Sequence, residues 1–509
     1  MTETLPIDGR SLTLEQFLAV VRGGCGVSLD RGAVGAIEAS RRIVDRAIAS
    51  RRPVYGITTG FGALSGTTIP VERARELQLS LVRSHASGAG PPLARDVVRG
   101  LVLLRLNSLA RGVSGVRLDL AERLIELLNR DLVPWIPEQG SVGASGDLAP
   151  LAHLALALIG EGSFLGRGAS EAEAARETLA REGLVPLTLL EKEGVAVLNG
   201  TSLMGSYLAL AVADARELLD AALVASALSF DALRGNPESL DDRIGEMRNS
   251  SDQREIARAL RALLAQSGLA VRPTEWSGQD PYTLRCLPQV LGAVRMAVGF
   301  AETVARSELN AVSDNPLVFE GDEFVHGGAF HGQSLAYALD ALAIAVQYLA
   351  GFSERRISRL LHPALNRGLP AFLASDPLVG SGLMIPQYLA AALVAENATL
   401  VHPASAVSLP TSADQEDYVS MGAWAGAKLH RVMENARRVV DVEWIVAGEA
   451  LERRRPLAGG RGSEAALRSL RSRVEPWARD RSPSPDIQRV ADAIRSGALT
   501  REVRAQQAF

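Results

Sequence analysis

Residues 332–362 read GQSLAYALDALAIAVQYLAGFSERRISRLLH, and this stretch carries apolar side chains on nearly every side of a predicted helix. A helix that is apolar all round is buried on every side, which is easiest to achieve inside a helical bundle or at the centre of an oligomer. Further long helical patterns occur at 201–230, 252–266, 284–310, 386–401 and 414–450. The sequence therefore predicts a mainly α fold whose long-helix core and C-terminal helical region occupy residues 201–509.

Residues 1–200 follow a different pattern, in which short helical segments alternate with glycine-rich loops. Thr13-Leu14-Glu15-Gln16 is a capping box that predicts a helix reaching to about Val21. The loops Tyr55-Gly56-Ile57-Thr58-Thr59-Gly60-Phe61-Gly62 and Gly140-Ser141-Val142-Gly143-Ala144-Ser145-Gly146-Asp147 contain enough glycine to adopt backbone conformations closed to other residues. We therefore expect region 1–200 to be a separate, loop-bearing region.

The composition excludes several classes of protein. The chain has 509 residues, of which 47% are hydrophobic and 22% charged, so it is not a disordered chain. The net charge of −4 gives no basic surface for nucleic acid. Two cysteines, Cys25 and Cys286, are too few for a disulfide scaffold and fit the reducing cytoplasm. Only 5% of the residues are aromatic, which favours helices over sheets.

Two long stretches without charge, 194–213 and 377–395, need to be told apart from membrane spans. Each contains polar residues that lipid would not accommodate, so we interpret both as buried protein interior. The first residues lack the apolar segment of a signal peptide. A hairpin is predicted at Leu317–Val325, and Arg453–Arg455 is interpreted as a solvated helix end.

Several catalytic motifs are missing from the sequence. Ser145 lies in Gly-Ala-Ser-Gly-Asp, which breaks the Gly-x-Ser-x-Gly pattern of a nucleophile elbow. Gly60-Phe61-Gly62 and Gly166-Arg167-Gly168 lack the third glycine of a dinucleotide loop, and there is no P-loop motif. The seven histidines show no zinc-ligand spacing, so we expect no metal.

Ala144-Ser145-Gly146 offers a different chemistry. Glycine after serine removes the steric block to close backbone approach, so the amide nitrogen of Gly146 can reach the carbonyl carbon of Ala144. Ring closure and dehydration of Ser145 would leave an exocyclic methylidene, which is a strong electrophile made without an added cofactor. The tripeptide alone is common, so its surroundings decide whether it has this role.

Those surroundings resemble a known family. Gly140-Ser-Val-Gly-Ala-Ser-Gly-Asp-Leu-Ala-Pro-Leu-Ala-His153 is similar to the signature of the aromatic amino acid ammonia-lyases, whose prosthetic group is 4-methylidene-imidazol-5-one (MIO). Further similar segments follow in the family's order from about residue 10 to 455: Tyr55–Gly62, Ser84–Ala86, Leu198–Thr201, Gln279–Tyr282, Leu284–Cys286, Asn310–Pro316, Phe330–His331, Ser353–Ile357 and Gln415–Asp417.

The resemblance implies a helical ammonia-lyase fold with an aspartase/fumarase-like core. It also implies a cytoplasmic homotetramer whose active sites are shared between subunits, acting on a small amino acid with no nucleic acid or membrane partner. Ser84-His85-Ala86 and Gln415-Glu416-Asp417 resemble the branch that converts L-histidine to trans-urocanate and ammonia. A polar imidazole in a closed pocket needs hydrogen-bond partners, and His85 and Glu416 can supply them.

The family's functional residues correspond to particular positions of this chain. Ala144, Ser145 and Gly146 would form the MIO group, and Tyr55 would act as the general base. Arg285 would hold the substrate carboxylate, for which a planar guanidinium is suited. The remaining candidates are expected near the substrate or the electrophile: the substrate-binding residues His85, Asn199, Gln279, Phe330 and Met384, and the catalytic residues Tyr282 and Glu416.

Some positions depart from the histidine branch and keep alternatives open. Thr58 stands where Asn is typical, Ala329 where Asn is usual, Tyr418 where His is common and Leu287 where Gln is common. A tyrosine or phenylalanine ammonia-lyase, or a 2,3-aminomutase using the same electrophile, therefore stays possible. A catalytically inactive structural homologue is a further alternative. A fumarase–aspartase type lyase would carry a Gly-Ser-Ser-x-Met-Pro loop, which this sequence does not contain.

Overall fold

The computed structural model describes residues 4–60, 66–166, 171–270, 278–376 and 378–507. Part of the loop at 55–62 and part of the Gly166–Gly168 segment lie outside the described residues. The chain forms two compact units, each built from three segments. Unit 1 comprises Met1–Leu210, Ala301–Asp340 and Pro403–Ala427, and unit 2 comprises Ala211–Phe300, Ala341–His402 and Lys428–Phe509. The sequence-based division into the contiguous regions 1–200 and 201–509 differs from these discontinuous units, and it stays a prediction.

The fold is mainly helical, as the sequence predicts. The helices are α1 (Leu14–Val21), α2 (Arg31–Ala49), α3 (Ala74–His85), α4 (Arg95–Ala110), α5 (Leu118–Asn129), α6 (Leu148–Leu158), α7 (Ala175–Arg181), α8 (Glu193–Leu198), α9 (Ser202–Ala232), α10 (Asp242–Met247), α11 (Ser251–Leu263), α12 (Tyr282–Arg285), α13 (Leu287–Glu308), α14 (Gln333–Leu361), α15 (Met384–Leu400), α16 (Gly422–Glu452), α17 (Arg461–Arg471), α18 (Ser484–Arg495) and α19 (Ala498–Gln507).

Short strands form four two-stranded sheets within the described residues. The strands β1 (Leu5–Ile7) and β2 (Val27–Leu29) pair in parallel. The other pairs are antiparallel: β3 (Ala89–Pro92) with β4 (Pro137–Gln139), β5 (Ser163–Leu165) with β6 (Ala172–Ala174), and β7 (Leu317–Phe319) with β8 (Glu323–Val325). The last pair is the hairpin predicted from the sequence.

Most helix predictions are confirmed to within a few residues, but the last long helix begins later than expected. The capping box is present, because Thr13 accepts from Gln16 N and the Gln16 side chain accepts from Thr13 N. The helix expected from residue 414 begins only at Gly422. Residues 412–414 have positive φ angles, and Thr411 and Glu416 pair across them, so this segment is a closed turn.

Burial along the uncharged stretches is uneven. Residues 194–213 are almost entirely buried, as expected. In 378–395, however, Leu378 and Val379 are 91% and 87% exposed and Tyr388 is 61% exposed. The prediction of buried interior is therefore wrong for most of this second stretch of the single chain, in which Leu383, Pro386 and Ala390 are the buried residues.

Among the described residues, α14 is the one helix long and apolar enough to cross a membrane, and most of its apolar stretch is buried, as in the core helix of a globular protein. Tyr337 and Tyr348 on this helix are 60% and 53% exposed, so the single chain does not bury it on every side. Burial at the centre of an oligomer, the other arrangement predicted, stays a prediction.

The arginine cluster after α16 also differs from its sequence interpretation. Arg453 Nη2 donates to Leu373 O at 2.6 Å, and Arg454 donates from Nε to Ala232 O at 2.7 Å. Both side chains thus satisfy backbone carbonyls, so the prediction of a solvated helix end is wrong for them. Arg455 is exposed and pairs with Glu464 at 2.8 Å.

Helix α4 lies at the core of unit 1 and fixes the start of α9. Nearly all of α4 is buried. Ser206 Oγ donates to Val97 O at 2.8 Å, and a Cβ at Gly100 would overlap Ser206 Oγ and lie 2.7 Å from Phe17. The two helix backbones therefore approach closely at Gly100, and this contact positions the segment just before α9.

Candidate active site

The loop that carries Ala144-Ser145-Gly146 is folded back on itself. Gly143 and Gly146 form an isolated bridge, with Gly146 N donating to Gly143 O at 3.3 Å. Gly143, Ser145 and Gly146 have φ angles of 81°, 51° and 82°. Ser145 is thus a non-glycine residue in the left-handed region, which is a typical location of strain at functional sites.

A second glycine segment packs directly against this loop. Gly146 bridges to Gly200, and Asp147 N donates to Gly200 O at 2.7 Å. A Cβ at Gly146 would lie 2.6 Å from the carbonyl carbon of Gly200 and closer still to its oxygen. Only glycine therefore fits at residue 146.

A third segment closes the loop from the C-terminal part of unit 1. Met421 N donates to Val142 O at 2.9 Å. A Cβ at Gly143 would overlap Ser420 Oγ and lie 3.2 Å from Met421 N. Ser141 Oγ donates to Gly146 O at 3.3 Å. The tripeptide is therefore held between segments that are distant in the sequence.

Asp147 ties the loop to α9. Its Oδ2 accepts from Leu203 N at 2.8 Å and from Met204 N at 3.2 Å, so it caps the first turn of α9. Its Oδ1 is buried without a hydrogen-bond partner. Burial raises the pKa of Asp147 to about 7, although the two amide donors and Arg105 oppose the rise.

Beneath Gly200 lies a fully buried guanidinium, that of Arg105 on α4. Its Nη1 donates to Asn199 O and its Nη2 donates to Ser108 Oγ at 2.6 Å. A Cβ at Gly200 would overlap Arg105 Nη1 and lie 3.0 Å from Ser313 Oγ. Burial lowers the pKa of Arg105, and the charges of Asp314, Asp147 and Glu308 counteract this.

The neighbours of Asn199 complete this buried network. Asn199 Nδ2 donates to Asn315 O at 2.9 Å, and Thr201 N donates to Ser313 Oγ at 3.1 Å. Thr201 Oγ1 donates to Glu308, whose pKa burial raises to about 7. Asp314 itself pairs with Lys192 at 2.7 Å, and both side chains are fully buried.

A cavity of about 680 Å³ opens beside the loop. Its walls are mainly apolar, and they include six of the sequence-predicted site residues: Tyr55, His85, Ala144, Ser145, Asn199 and Glu416. Gly146 lies directly beside this wall. A largely apolar cavity with a few convergent polar groups is typical of a small-molecule site.

His85 and Glu416 face this cavity with defined hydrogen-bonding character. His85 Nδ1 lies 2.9 Å from Leu81 O, and a carbonyl only accepts, so Nδ1 carries the proton and Nε2 is an acceptor. Burial lowers the pKa of His85, and its contact with Leu81 and the charge of Glu416 counteract this. Glu416 Oε2 is buried without a partner.

A second cavity of about 460 Å³ shares the wall formed by Tyr55, Ser145 and Glu416. Tyr55 makes an edge-on ring contact with His326, with centroids 5.7 Å apart. Phe330 lines this cavity together with His331 and Tyr418, whose rings stack at 6.2 Å. Sequence reasoning had not singled out His326.

Four predicted site residues, Gln279, Tyr282, Arg285 and Met384, belong to unit 2. Arg285 lies 4.6 Å above the ring of Tyr282, and its Nε is buried without a hydrogen-bond partner. Tyr282 is 67% exposed, Gln279 is exposed and Met384 begins α15. Their roles stay predictions.

The departures from the histidine branch have different consequences. Thr58 is buried and stabilises its own loop, accepting from Val54 N at 2.9 Å and donating to Arg52 O at 2.8 Å. Leu287 is fully buried in α13, and Ala329 is exposed. Of the four, Tyr418 lines the second cavity.

Sequence reasoning missed the buried charges beneath Gly200. Arg105 stands in the apolar run of α4, where a lone charge is a signal of a buried ionic contact. Glu308 gave no such signal, because it is the last residue of the amphipathic helix α13 and its contact with Thr201 is between residues distant in the sequence.

Comparison with known proteins places these features in a family. The family model described as aromatic amino acid lyase matches residues 12–472. The chain is 47% identical to a histidine ammonia-lyase of Symbiobacterium thermophilum over 498 residues, which is 98% of each protein. It is 44% identical to a histidine ammonia-lyase of Myxococcus xanthus, covering 99% of each.

Solved structures show the same architecture. The tyrosine aminomutase from Streptomyces globisporus matches with a TM-score of 0.94 at 37% identity, covering 100% of this chain and 99% of that one. Histidine ammonia-lyase from Trypanosoma cruzi matches with a TM-score of 0.91 at 40% identity, covering 99% and 96%.

The raised pKa of Asp147 predicts a pH-dependent cost of folding. From about pH 4 to about pH 7 the carboxyl group is ionised in the unfolded chain and protonated in the folded one, so stability falls as the pH rises through this interval. Asp147→Asn keeps an oxygen acceptor for α9 and removes this cost. In urea unfolding, its stability relative to wild type should rise by on the order of 2 to 4 kcal/mol between pH 4 and pH 7 and then level off.

Glu38→Gln is the matched control, because Glu38 is exposed on α2. The change with pH in Asp147→Asn is measured against the change in this variant. If the stability of Asp147→Asn ran parallel to that of wild type from pH 4 to pH 7, Asp147 would be ionised in the folded protein, which would contradict the prediction.

Proposed function

The chain belongs to the aromatic amino acid lyase family and is a carbon–nitrogen lyase, and from that premise we propose that it removes ammonia from L-histidine to give trans-urocanate. The observation that carries the choice of histidine is the presence of His85 and Glu416 in one cavity wall with Ser145. We expect the reaction to take place in the cytoplasm.

The polar pair in the cavity suits an imidazole ring. An imidazole enters an apolar cavity without penalty only if its nitrogens find hydrogen-bond partners. A neutral imidazole has one N–H, which can donate to Nε2 of His85 or to the carboxylate of Glu416. A phenyl ring would gain nothing from either group, so the pair favours histidine over phenylalanine.

We further propose that Ala144, Ser145 and Gly146 form the MIO group without an external cofactor. Gly146 N would bond to the Ala144 carbonyl carbon, whose oxygen leaves as water, and Ser145 would lose its hydroxyl and its α-proton as a second water. The residues fit this group, because residue 146 tolerates no side chain and Gly146 N already turns back towards Gly143. Once formed, the group supplies an electrophile for the amine, which is a poor leaving group.

The chain's own side chains would bind the substrate and move its proton. The phenol oxygen of Tyr55 would accept the proton from the β-carbon, with Glu416 binding the ring or handling a proton. Arg285 would hold the carboxylate through its forked N–H groups. The other candidates would contact the substrate or the electrophile: Asn199, Gln279, Tyr282, Phe330 and Met384.

A homotetramer with shared sites would bring residues of unit 2 to the cavity of another subunit. Large apolar side chains such as Leu378, Ile385 and Tyr388 are exposed in the single chain, and exposed apolar patches mark interaction surfaces. Light scattering at micromolar concentration should therefore give four times the chain mass of 54.0 kDa. A monomer that is fully active would contradict shared sites.

A tyrosine 2,3-aminomutase is the second candidate. The structural match to a tyrosine aminomutase supports it, as does Tyr418 in the second cavity in place of the common histidine. The two candidates differ in substrate and product, so one assay separates them.

Incubation of the purified protein with L-histidine should produce the ultraviolet absorption of urocanate. L-tyrosine and L-phenylalanine should give much slower turnover, because His85 and Glu416 would lose their ring partners. Chromatography for β-tyrosine tests the aminomutase directly. Absence of a urocanate band with L-histidine would refute the substrate assignment.

Ser145→Ala should abolish formation of the MIO group, because no hydroxyl is available to leave. We expect a folded protein whose turnover is reduced by several orders of magnitude. Mass spectrometry of the wild-type peptide containing Ser145 should show the loss of two waters, and the variant peptide should not. Near-normal turnover by the variant would disprove the role of the electrophile.

A further inference from the structure

Gly200 contacts the loop through its carbonyl group, and Arg105 leaves no space for a side chain at Gly200. Towards the loop, its carbonyl oxygen accepts from Asp147 N and lies against Gly146. Towards α4, it lies against Nη1 of Arg105. Gly146, Gly200 and Arg105 therefore form a continuous stack from the tripeptide to the core of unit 1.

Arg105 is anchored so that it cannot move away from this stack. One branch of its guanidinium donates to Asn199 O and the other donates to Ser108 Oγ at 2.6 Å. The planar fork fixes both contacts at once, which a lysine cannot do. The side chain is fully buried, and the charges of Asp314, Asp147 and Glu308 surround it.

Asn199 connects this anchor to the cavity. Its carbonyl oxygen is held by Arg105, its Nδ2 donates to Asn315 O at 2.9 Å, and its side chain lines both cavities. Arg105 itself lines neither cavity among the described residues. The direct contacts that Arg105 makes towards the cavity are therefore those with Asn199 and Gly200.

We propose that Arg105 is a positioning residue that holds the Asn199–Gly200 segment against Gly146 and so sets how readily Ala144-Ser145-Gly146 cyclises. This inference rests on the proposed MIO chemistry. Arg105 exchanges no proton and forms no bond in the cyclisation; the two waters leave from Ala144, Ser145 and Gly146 as described above. Its contribution is the placement of Gly200 beside the amide that must close the ring.

Arg105→Lys keeps a positive charge among the three carboxylates and removes the forked contact. We expect a folded tetramer in which the share of Ser145 peptide that has lost two waters falls at least threefold. Intact-mass and peptide mass spectrometry measure that share directly, at purification and again after prolonged incubation at 37 °C. Turnover of L-histidine should fall in proportion to the dehydrated share.

Arg99→Lys is the matched control on the same helix. Arg99 is also buried, and it donates to the backbone carbonyls of Val20, Val21 and Leu128. It makes no contact with residues 144–146 or 199–200 among the contacts of the described residues. A general loss of α4 packing would affect both variants, whereas the proposal requires that dehydration falls in Arg105→Lys alone.

Ser108→Ala provides a second test if Arg105→Lys does not fold. It removes one anchor of the guanidinium without disturbing its charge, and we expect slower dehydration in a folded protein. Three results would overturn the inference and leave the proposed function intact. The first is equal dehydration in wild type, Arg105→Lys and Arg99→Lys. The others are an equal loss of dehydration in both lysine variants and unchanged dehydration in Ser108→Ala. Absence of dehydration in the wild type would overturn both.

Discussion

The contact between Gly146 and the carbonyl group of Gly200 is the constraint on which the rest of the site depends. It requires glycine at residue 146, because a side chain would overlap the Gly200 carbonyl. It also requires that the segment before α9 reach the loop before α6. Glycine makes such an approach possible at the cost of backbone entropy. The surrounding residues must therefore hold the two segments together. Asp147 links the two segments directly, Met421 holds the loop, and Arg105 holds the Asn199–Gly200 segment.

Buried charge accompanies that constraint. Asp147, Asp314, Lys192 and Arg105 are removed from water, and the partly buried Glu308 belongs to the same network. Such groups are weak evidence for stability, because their desolvation offsets much of their attraction. They do impose geometry, since each carboxylate or guanidinium accepts only a few arrangements of its partners. The unpaired Oδ1 of Asp147 and Nε of Arg105 show that the network is not fully satisfied. A stable core of the same size would be easier to build from apolar side chains, so the network is consistent with a role in positioning the loop.

The larger cavity beside the loop offers only a few polar atoms to a substrate, and these would determine which side chain the cavity accepts. His85 is fixed in one tautomer by its own helix, and Glu416 is fixed by the strained turn that pairs it with Thr411. The acceptor of His85 is therefore set before a ligand arrives, and the turn fixes the backbone that carries the Glu416 carboxylate. The stacked pair of His331 and Tyr418 lines the neighbouring cavity. Among the four positions that depart from the histidine branch, Tyr418 is the one that lines this second cavity.

The sequence by itself determined the long helices, the capping box, the hairpin and the segment Gly140–Asp147, because each depends on the spacing of nearby residues or on a contiguous motif. It did not reveal that residues 411–416 form a turn, nor that the stretch 378–395 is exposed, since composition alone does not say which face of a segment has a neighbour. The stack of Gly146, Gly200 and Arg105 was decided only by the tertiary structure. Its members lie on separate segments of the chain, and no periodicity links them. Close packing between distant segments gives Arg105 its partners, and only the folded chain specifies them.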